Sequence, residues 1–232
     1  MRRILYVFDW DGTLIDSVGR IVGCLRRAAQ DLGLHGHDDS TFGDVIGLGL
    51  PQAIERLYPG LDRERAESFR ARYAEHFLSA DAEPSGFFPG ALEVLEELRR
   101  RGHLLAVATG KSRRGLDRVL AQKGMDGYFD ATRCADETAS KPHPRMLREI
   151  FEELGTRPLD AVMVGDTEYD MEMARRAGAR GVGVSYGVHA PTRLAAHGPE
   201  LIVDSLAELL HYRPGESPPE HPDADLFEEI RQ

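Results

Sequence analysis

The stretch ILYVFDWDGT, residues 4–13, decides the fold of this chain. Its first half, Ile4 to Phe8, is a continuous apolar run rich in strand-forming residues, which is typical of a strand buried on both faces. The run ends in two aspartates, Asp9 and Asp11, which flank Trp10. Because open α/β sheets bind ligands at the carboxyl ends of their strands, we expect these carboxylates to lie at a functional site.

Further apolar runs predict more strands, at Leu104 to Ala108, Ala161 to Val164, Val182 to Val184 and, more weakly, Leu201 to Val203. Between them, apolar residues three and four apart predict helices over Gly90 to Arg101, Ser112 to Lys123, Pro144 to Leu154 and Glu168 to Ala177. Strands that alternate with helices indicate βαβ units. We therefore predict an α/β fold with a doubly wound, Rossmann-like parallel sheet.

Residues 17–84 interrupt this alternation, because their pattern indicates helices and loops without strands. We interpret this region as an inserted helical cap domain. The α/β core domain then comprises residues 1–16 and 85–212. The last segment, residues 213–232, is acidic and rich in proline, and we expect a mobile or peripherally docked tail there.

Composition excludes several kinds of partner. A formal net charge of -10 offers no basic excess to displace counterions from a polyanion, so we expect no nucleic-acid partner. Because no apolar run approaches the roughly 20 residues that cross a bilayer, we expect no membrane partner and a cytoplasmic location. Cys24 and Cys134 have neither metal-site nor redox spacing, so we expect two unpaired thiols.

Two acidic clusters follow two of the predicted strands. The carboxylates of Asp9 and Asp11 would repel each other unless a cation compensated them, and oxygen ligands suit Mg²⁺. In the second cluster, a helix that begins near Thr167 would place Asp166 near its N-cap and Asp170 one turn later on the same face. Acidic residues are also common in the first turn of any helix. Because both clusters end parallel strands, we predict that they converge on one cation.

Two further segments could bind an anion. Thr109 and Gly110 end a predicted strand just before a helix that begins near Ser112, so a hydroxyl and backbone N–H groups could meet a phosphate there. The alternative is that Thr109 only caps the helix. Lys141 precedes a proline-rich turn, and it is one of three lysines in a chain that otherwise uses arginine. It is either a compact positive charge within the site or a solvated surface lysine.

Taken in order, these segments resemble the haloacid dehalogenase (HAD) superfamily of phosphohydrolases. The motifs that carry the resemblance are FDWDGT at residues 8–13, Thr109-Gly110, Lys141-Pro142, and Gly165-Asp166 with Asp170. The resemblance covers about residues 4 to 211, and the insertion after the first motif looks like the helical cap of that superfamily. Within it, Asp16-Ser17, the Gly47-Leu48-Gly49 loop and Tyr186-Gly187 look most like the phosphoglycolate-phosphatase-like branch.

The resemblance implies a Mg²⁺-dependent phosphatase that acts on a small phosphorylated metabolite. It implies that Asp9 is the nucleophile and that Asp11 is the acid/base, which would protonate the leaving oxygen and later activate water. It also implies that the Asp9 carboxylate, the Asp11 backbone carbonyl and Asp166 hold Mg²⁺. Asp170 would support the metal site or its lysine.

The same resemblance implies a set of groups that bind the phosphoryl oxygens. These are Lys141, the Thr109 hydroxyl and the Gly110 N–H. The resemblance also implies that Lys141 is a catalytic residue. Gly110 stands where many members of the superfamily have asparagine, and Trp10 is bulkier than the aliphatic residue usual at its position. Neither departure removes a group that the chemistry requires.

Several readings stay open at the level of sequence. Phosphoglycolate, a sugar phosphate, a nucleotide and pyrophosphate all fit the same core as substrates. A phosphotransferase such as a sugar-phosphate mutase would share every catalytic residue named above. A non-catalytic binding protein that kept the fold is a third possibility.

The sequence contains partial matches to two motifs of other enzyme families. Gly110-Lys111-Ser112 resembles the end of a P-loop, but Leu105 stands where that motif requires glycine. The run Gly183 to Gly187 matches the nucleophile elbow of serine esterases, which should lead directly into a helix. Because Gly187 and Pro191 would interrupt such a helix, we predict that this run ends a strand instead.

Overall fold

A six-stranded parallel sheet forms the centre of the structure, a computed structural model that describes residues 3–79 and 85–215. Its strands are β1 (Leu5–Phe8), β2 (Leu104–Thr109), β3 (Ala131–Cys134), β4 (Ala161–Gly165), β5 (Arg180–Val184) and β6 (Leu201–Val203). They lie in the order β3-β2-β1-β4-β5-β6 and every neighbouring pair is parallel. The predicted α/β class with a doubly wound sheet is therefore confirmed.

The first strand lies at the centre of the sheet and is buried on both faces. Tyr6 and Phe8 pack into one hydrophobic cluster, whereas Leu5 and Val7 pack into a second cluster on the opposite face. The chain continues to β2 on one side of β1 and returns to β4 on the other. The carboxyl end of β1 is therefore the point at which the strand order reverses, where sheets of this kind bind ligands.

The helical insertion between β1 and the rest of the core has a hydrophobic cluster of its own. It contains α1 (Val18–Asp31), α2 (Asp39–Gly43), α3 (Leu50–Leu57) and α4 (Arg63–Ser79). Leu25 and Ala28 on α1, Ile54 on α3 and Phe69 on α4 are all buried in this cluster. We call residues 17–79 the cap.

The remaining helices flank the sheet, and four of them fall where the sequence pattern predicts them. They are α5 (Ala91–Arg100), α6 (Arg113–Gln122), α7 (Arg145–Leu154), α8 (Glu168–Ala177) and α9 (Pro191–Ala195), with 3-10 turns at Pro158–Asp160 and Leu206–Leu210. In the described ranges no helix is long and apolar enough to cross a bilayer. Cys24 and Cys134 are both buried and unpaired.

One strand differs from the sequence-based prediction, and parts of two predicted segments are not described by the structure. The edge strand β3 was not predicted, because Ala131 and Cys134 are buried while the two residues between them are half-exposed, so no apolar run marks it. Arg133 of this strand pairs instead with Glu149 and Glu153 on α7. Most of the tail predicted at 213–232, and the end of the predicted cap at 80–84, lie outside the described residues.

Candidate active site

The loop after β1 places Asp9 at the switch point of the sheet. The Asp9 N–H donates to the carbonyl oxygen of Val164 on β4 at 2.9 Å, so the end of β1 is fixed to its neighbour. The loop then turns at Gly12, which has a left-handed φ of 83°. A Cβ added at Gly12 would lie 2.2 Å from the Asp166 Oδ2 atom, so only glycine allows this close approach.

Asp166 follows β4 and is enclosed by the loop after β1, which contains Thr13, and the loop after β5, which contains Val188. Its Oδ1 atom accepts a hydrogen bond from the Thr13 hydroxyl at 3.1 Å, and its Oδ2 atom accepts one from the Val188 N–H at 2.8 Å. A Cβ at Gly187 would lie 2.1 Å from the Asp166 Cβ atom. The carboxylate is therefore held in one orientation by groups from both sides.

Asp170 is fixed by the first turn of α8. Its Oδ2 atom accepts hydrogen bonds from the N–H and the hydroxyl of Thr167, at 3.1 Å and 2.7 Å, and the Thr167 hydroxyl caps the helix in return. The other oxygen, Oδ1, lies 2.7 Å from the Lys141 Nζ atom. Helix α8 thus fixes Asp170 and directs one oxygen of its carboxylate at the lysine.

Lys141 lies between two carboxylates at the centre of this site. Its Nζ atom is 2.7 Å from Oδ1 of Asp9 and 2.7 Å from Oδ1 of Asp170, and the residue is only 1% exposed. The alternative of a solvated surface lysine is therefore wrong. Burial acts to lower the pKa of Lys141, but the carboxylates of Asp170 and Asp9 outweigh that effect and raise it. The ammonium group stays charged.

Asp9, Asp166 and Asp170 form one group of buried carboxylates. Each contributes an oxygen, and these oxygens lie within 4.8 Å of one another. Burial raises the pKa of Asp9 well above its ordinary value, and Lys141 offsets only part of the rise. Burial also raises the pKa of Asp166 to about 7, and the charge of Asp170 adds to the effect. Both shifts show that ionising all three carboxylates beside Lys141 alone is unfavourable, and a further positive charge would reverse that preference.

This donor set fits a hard divalent cation. The Oδ2 atom of Asp9 is buried and has no hydrogen-bond partner among the described residues, which is costly for a carboxylate oxygen. Among the described residues no cysteine or histidine belongs to this group, and carboxylate oxygens are the ligands that Mg²⁺ prefers. The structure brings Asp9 and Asp166 together, as predicted from sequence, and it adds the Asp170 side chain to the same group.

The side chain of Asp11 takes a different direction from these three. Its Oδ1 atom accepts a hydrogen bond from the Ser17 hydroxyl at 2.6 Å, and its Oδ2 atom lies 2.9 Å from the Lys111 Nζ atom. That nitrogen also lies 5.0 Å from the centre of the Phe77 ring on the cap. Asp11 is therefore oriented by side chains and is not part of the carboxylate group.

Ser17 and Lys111 were not identified as site residues from the sequence. A signal for Lys111 was present, because it directly follows Thr109-Gly110 at the end of a strand and is one of only three lysines. The sequence could not show its partner, since Asp11 and Lys111 are 100 residues apart along the chain.

Thr109 and Gly110 lie at the end of β2, beside the cap. Thr109 is fully buried, and its hydroxyl oxygen accepts a hydrogen bond from the Lys111 N–H at 3.2 Å. Helix α6 is capped by the Ser112 hydroxyl, which accepts from the Gly115 N–H, so the alternative that Thr109 caps this helix is wrong. Gly110 lines the cavity above Asp9.

The esterase-like run has no elbow geometry. Strand β5 ends at Val184 and the next helix begins only at Pro191, which confirms the prediction that the run ends a strand. The hydroxyl of Ser185 donates a hydrogen bond to Asp204, so a histidine does not occupy that position.

Comparison with known proteins agrees with this geometry. The haloacid dehalogenase-like hydrolase family matches residues 6–184. The chain is 35% identical over 212 residues to "Probable phosphatase IndB" of Dickeya dadantii, covering 89% of this chain and 91% of that protein. It is 31% identical over 214 residues to a phosphoglycolate phosphatase of Vibrio vulnificus, covering 89% and 94%. A crystal structure of a predicted phosphatase from Clostridium acetobutylicum superposes with a TM-score of 0.80 at 27% identity, covering 90% and 97%.

The matched region runs from β1 to β5 and contains all four motifs on which the resemblance rests. The chain therefore belongs to the haloacid dehalogenase-like hydrolase family.

Proposed function

We propose that this protein is a Mg²⁺-dependent phosphatase that hydrolyses a small phosphomonoester through a phosphorylated Asp9. The observation that carries the proposal is the environment of Asp9. Its carboxylate is buried at the switch point of the sheet, one oxygen is paired with Lys141 and the other has no partner among the described residues. Such an oxygen, at the floor of a cavity, suits attack on phosphorus.

In the first step, the Asp9 carboxylate forms a bond to the phosphorus atom and the bond between phosphorus and the ester oxygen breaks. The departing oxygen needs a proton, which Asp11 donates. Asp11 also lines the cavity, where Ser17 and Lys111 fix its orientation. This arrangement is suited to an acid that must reach the leaving group but must not itself compete as a nucleophile.

In the second step, water attacks the phosphorus atom of the phosphorylated Asp9. Asp11, now ionised, accepts the proton from that water, and the bond from phosphorus to the Asp9 oxygen breaks. Inorganic phosphate leaves and both carboxyl groups return to their starting states. Two moderate barriers replace one high barrier, which is the advantage of covalent catalysis.

One fixed positive charge and two hydrogen-bond donors would stabilise the negative charge of the phosphoryl group. Lys141 contributes a buried ammonium, and the Thr109 hydroxyl and Gly110 N–H are the proposed hydrogen-bond donors at the end of β2. Asp9, Asp166 and the backbone carbonyl of Asp11 would hold Mg²⁺, with Asp170 in support. The bound cation would supply charge stabilisation for the phosphoryl oxygens.

The names of the relatives support a phosphomonoester as substrate. Both curated relatives described above are named phosphatases, and one is named for phosphoglycolate. A small phosphorylated metabolite is therefore the proposed partner, and the net charge of -10 does not favour nucleic acid. We also propose that the protein acts in the cytoplasm.

The test is hydrolysis of p-nitrophenyl phosphate by the wild-type protein and by Asp9→Asn, with and without Mg²⁺. We expect the wild-type protein to release phosphate only with Mg²⁺, and Asp9→Asn to be inactive with an unchanged circular dichroism spectrum. Wild-type rates in Asp9→Asn would contradict the proposed nucleophile.

Asp166→Ala should shift the Mg²⁺ titration to higher concentration, and an unchanged titration would contradict the proposed ligand. Conversion of a sugar phosphate to its isomer without phosphate release would instead identify a phosphotransferase.

A further inference from the structure

The cavity above Asp9 and Asp11 is much larger than a phosphoryl group requires. Its volume is about 460 Å³, within the range of about 300–1,000 Å³ that is typical of sites for drug-sized ligands. The two aspartates lie at its floor and the cap forms its far walls. Whatever is esterified to the phosphate must therefore occupy the space beneath the cap.

The walls that the cap contributes are mostly apolar, with Gln52, Arg70 and Tyr73 as the residues that carry polar groups. They come from three parts of the cap: α1, the segment 45–53 and α4. The larger apolar side chains among them include Ile21, Leu25, Leu48, Leu50 and Phe77. Such a surface stabilises an apolar group that it removes from water and offers few partners to a hydroxyl-rich or charged one.

Charged side chains are few on the cap side of this cavity. Among the described cap residues that line it, Arg70 carries the only charge, and it pairs with Glu67. Near the floor, Lys111 is paired with Asp11 at 2.9 Å. Arg114 and Arg118 line the core side of the cavity, so it is the cap side that is poor in positive charge. Phosphoglycolate, whose carboxylate is one methylene away from the ester oxygen, would leave most of the apolar space beneath the cap unfilled.

We infer that the preferred substrate is a phosphomonoester of a primary alcohol with an apolar, ring-sized body, and not phosphoglycolate. This inference rests on the proposed phosphatase function and adds the class of leaving group. The phosphoryl group lies against Asp9, and the ring lies beneath the cap against Phe77 and the apolar side chains of α1. Arg114 on α6 lines the core side of the cavity, where its positive charge attracts the phosphate dianion.

The experiment compares kcat/KM for benzyl phosphate, ethyl phosphate and phosphoglycolate in the presence of Mg²⁺. All three are esters of primary alcohols, so differences in leaving-group acidity are small. We expect benzyl phosphate to exceed both others by about tenfold or more, as hydrophobic pockets discriminate by about 10–200-fold. Equal or better turnover of phosphoglycolate or ethyl phosphate would overturn the inference and leave the proposed function intact. Absence of phosphate release from all three would overturn the proposed function together with the inference.

A pair of variants on α4 tests where the ring lies. Ala74 lines the cavity and is exposed, so Ala74→Trp should narrow the space beneath the cap without disturbing the core. Ala71 lies on the same helix, is exposed and does not line the cavity, so Ala71→Trp is the matched control. We expect Ala74→Trp to lower the ratio of kcat/KM for benzyl phosphate over ethyl phosphate about tenfold relative to Ala71→Trp. Equal ratios in the two variants would overturn the placement of the ring.

Discussion

The carbonyl oxygen of Leu48 lies so close to Gly110 that a methyl group added at Gly110 would be 2.5 Å from it. The Gly47 carbonyl oxygen would be 2.8 Å from the same methyl group. Residues 47–49, which we call the cap loop, therefore pack directly on the end of β2. The N–H of Gly49 donates to the Ser140 hydroxyl at 2.8 Å, so the cap loop is also fixed beside Lys141. The cap thus meets the core at the two segments proposed to bind phosphate.

The contact between Gly110 and the cap loop leads to the first prediction. Gly110→Asn should force the loop away from β2, because any Cβ there overlaps backbone atoms that cannot rotate away. We expect kcat/KM to fall about 100-fold, the loss typical of a displacement near 1 Å, with little change in the circular dichroism spectrum. Kinetics with p-nitrophenyl phosphate are the measurement.

The matched control for that variant is Gly23→Ala. A Cβ at Gly23 would meet no atom within 4 Å, and the residue lies within helix α1. This change should leave kcat/KM unaltered and stabilise the helix by about 0.5–1 kcal/mol. Wild-type activity in Gly110→Asn would contradict the importance of the contact.

The second prediction concerns Asp11. With p-nitrophenyl phosphate, whose leaving group needs no proton, Asp11→Asn should still form the phosphorylated Asp9. It should then hydrolyse that intermediate slowly, because an amide cannot accept the proton from water. We expect kcat to fall by about 10²–10⁴-fold. Mass spectrometry of acid-quenched protein should detect the added phosphoryl group. Asp117→Asn, on the exposed side of α6, is the control, and unmodified protein in both variants would argue against the two-step mechanism.

The third prediction concerns the stability that Lys141 provides. Lys141→Met leaves Asp9 and Asp170 buried without their shared cation, so the free energy of unfolding should fall by about 3–5 kcal/mol. The double variant Lys141→Met, Asp170→Asn removes one of those charges and should recover part of the loss. Urea denaturation is the measurement. Lys123→Met is the control, because Lys123 is only partly buried and bonds to a backbone carbonyl. Equal losses of unfolding free energy in Lys141→Met and Lys123→Met would contradict the stabilising role assigned to Lys141.

The fourth prediction concerns pH and metal. The pKa of Asp166 is raised from 3.8 to about 7 in the folded protein, mainly by burial. Between these values the folded state binds more protons than the unfolded state, so this carboxyl costs stability increasingly as the pH rises towards 7. In the metal-free protein we expect the free energy of unfolding of Asp166→Asn, relative to that of the wild type, to increase by about 2 kcal/mol from pH 5 to pH 8.

Thermal unfolding of both proteins in EDTA is the measurement for that comparison. Added Mg²⁺ should then stabilise the wild type at pH 8 and have a much smaller effect on Asp166→Asn, because a ligand that binds only the folded state shifts the equilibrium towards it. A stability difference independent of pH would contradict the cost of burying the Asp166 carboxylate. Equal stabilisation of the two proteins by Mg²⁺ would show that Asp166 is not a ligand.

Local sequence patterns were sufficient to predict most of the fold. A buried parallel strand must be apolar at every position, so β1 and the strands beside it appear as continuous apolar runs. Helices that cover a sheet repeat their apolar residues at a spacing of three and four, so α5 to α8 were predicted in place. The edge strand β3 has neither pattern, because its middle residues, Thr132 and Arg133, are half-exposed.

The sequence by itself determined that carboxylates end two predicted parallel strands, and parallel strands end on the same edge of a sheet. For that reason the apolar runs and the acids that follow them were enough to predict that Asp9 and Asp166 lie together. Only the tertiary structure decided that Lys141 lies between Asp9 and Asp170, that Lys111 pairs with Asp11, and that the cap encloses an apolar cavity. Those contacts join residues that are far apart in the chain. Their geometry is set by packing between separate elements, and such packing leaves no periodic pattern in the sequence.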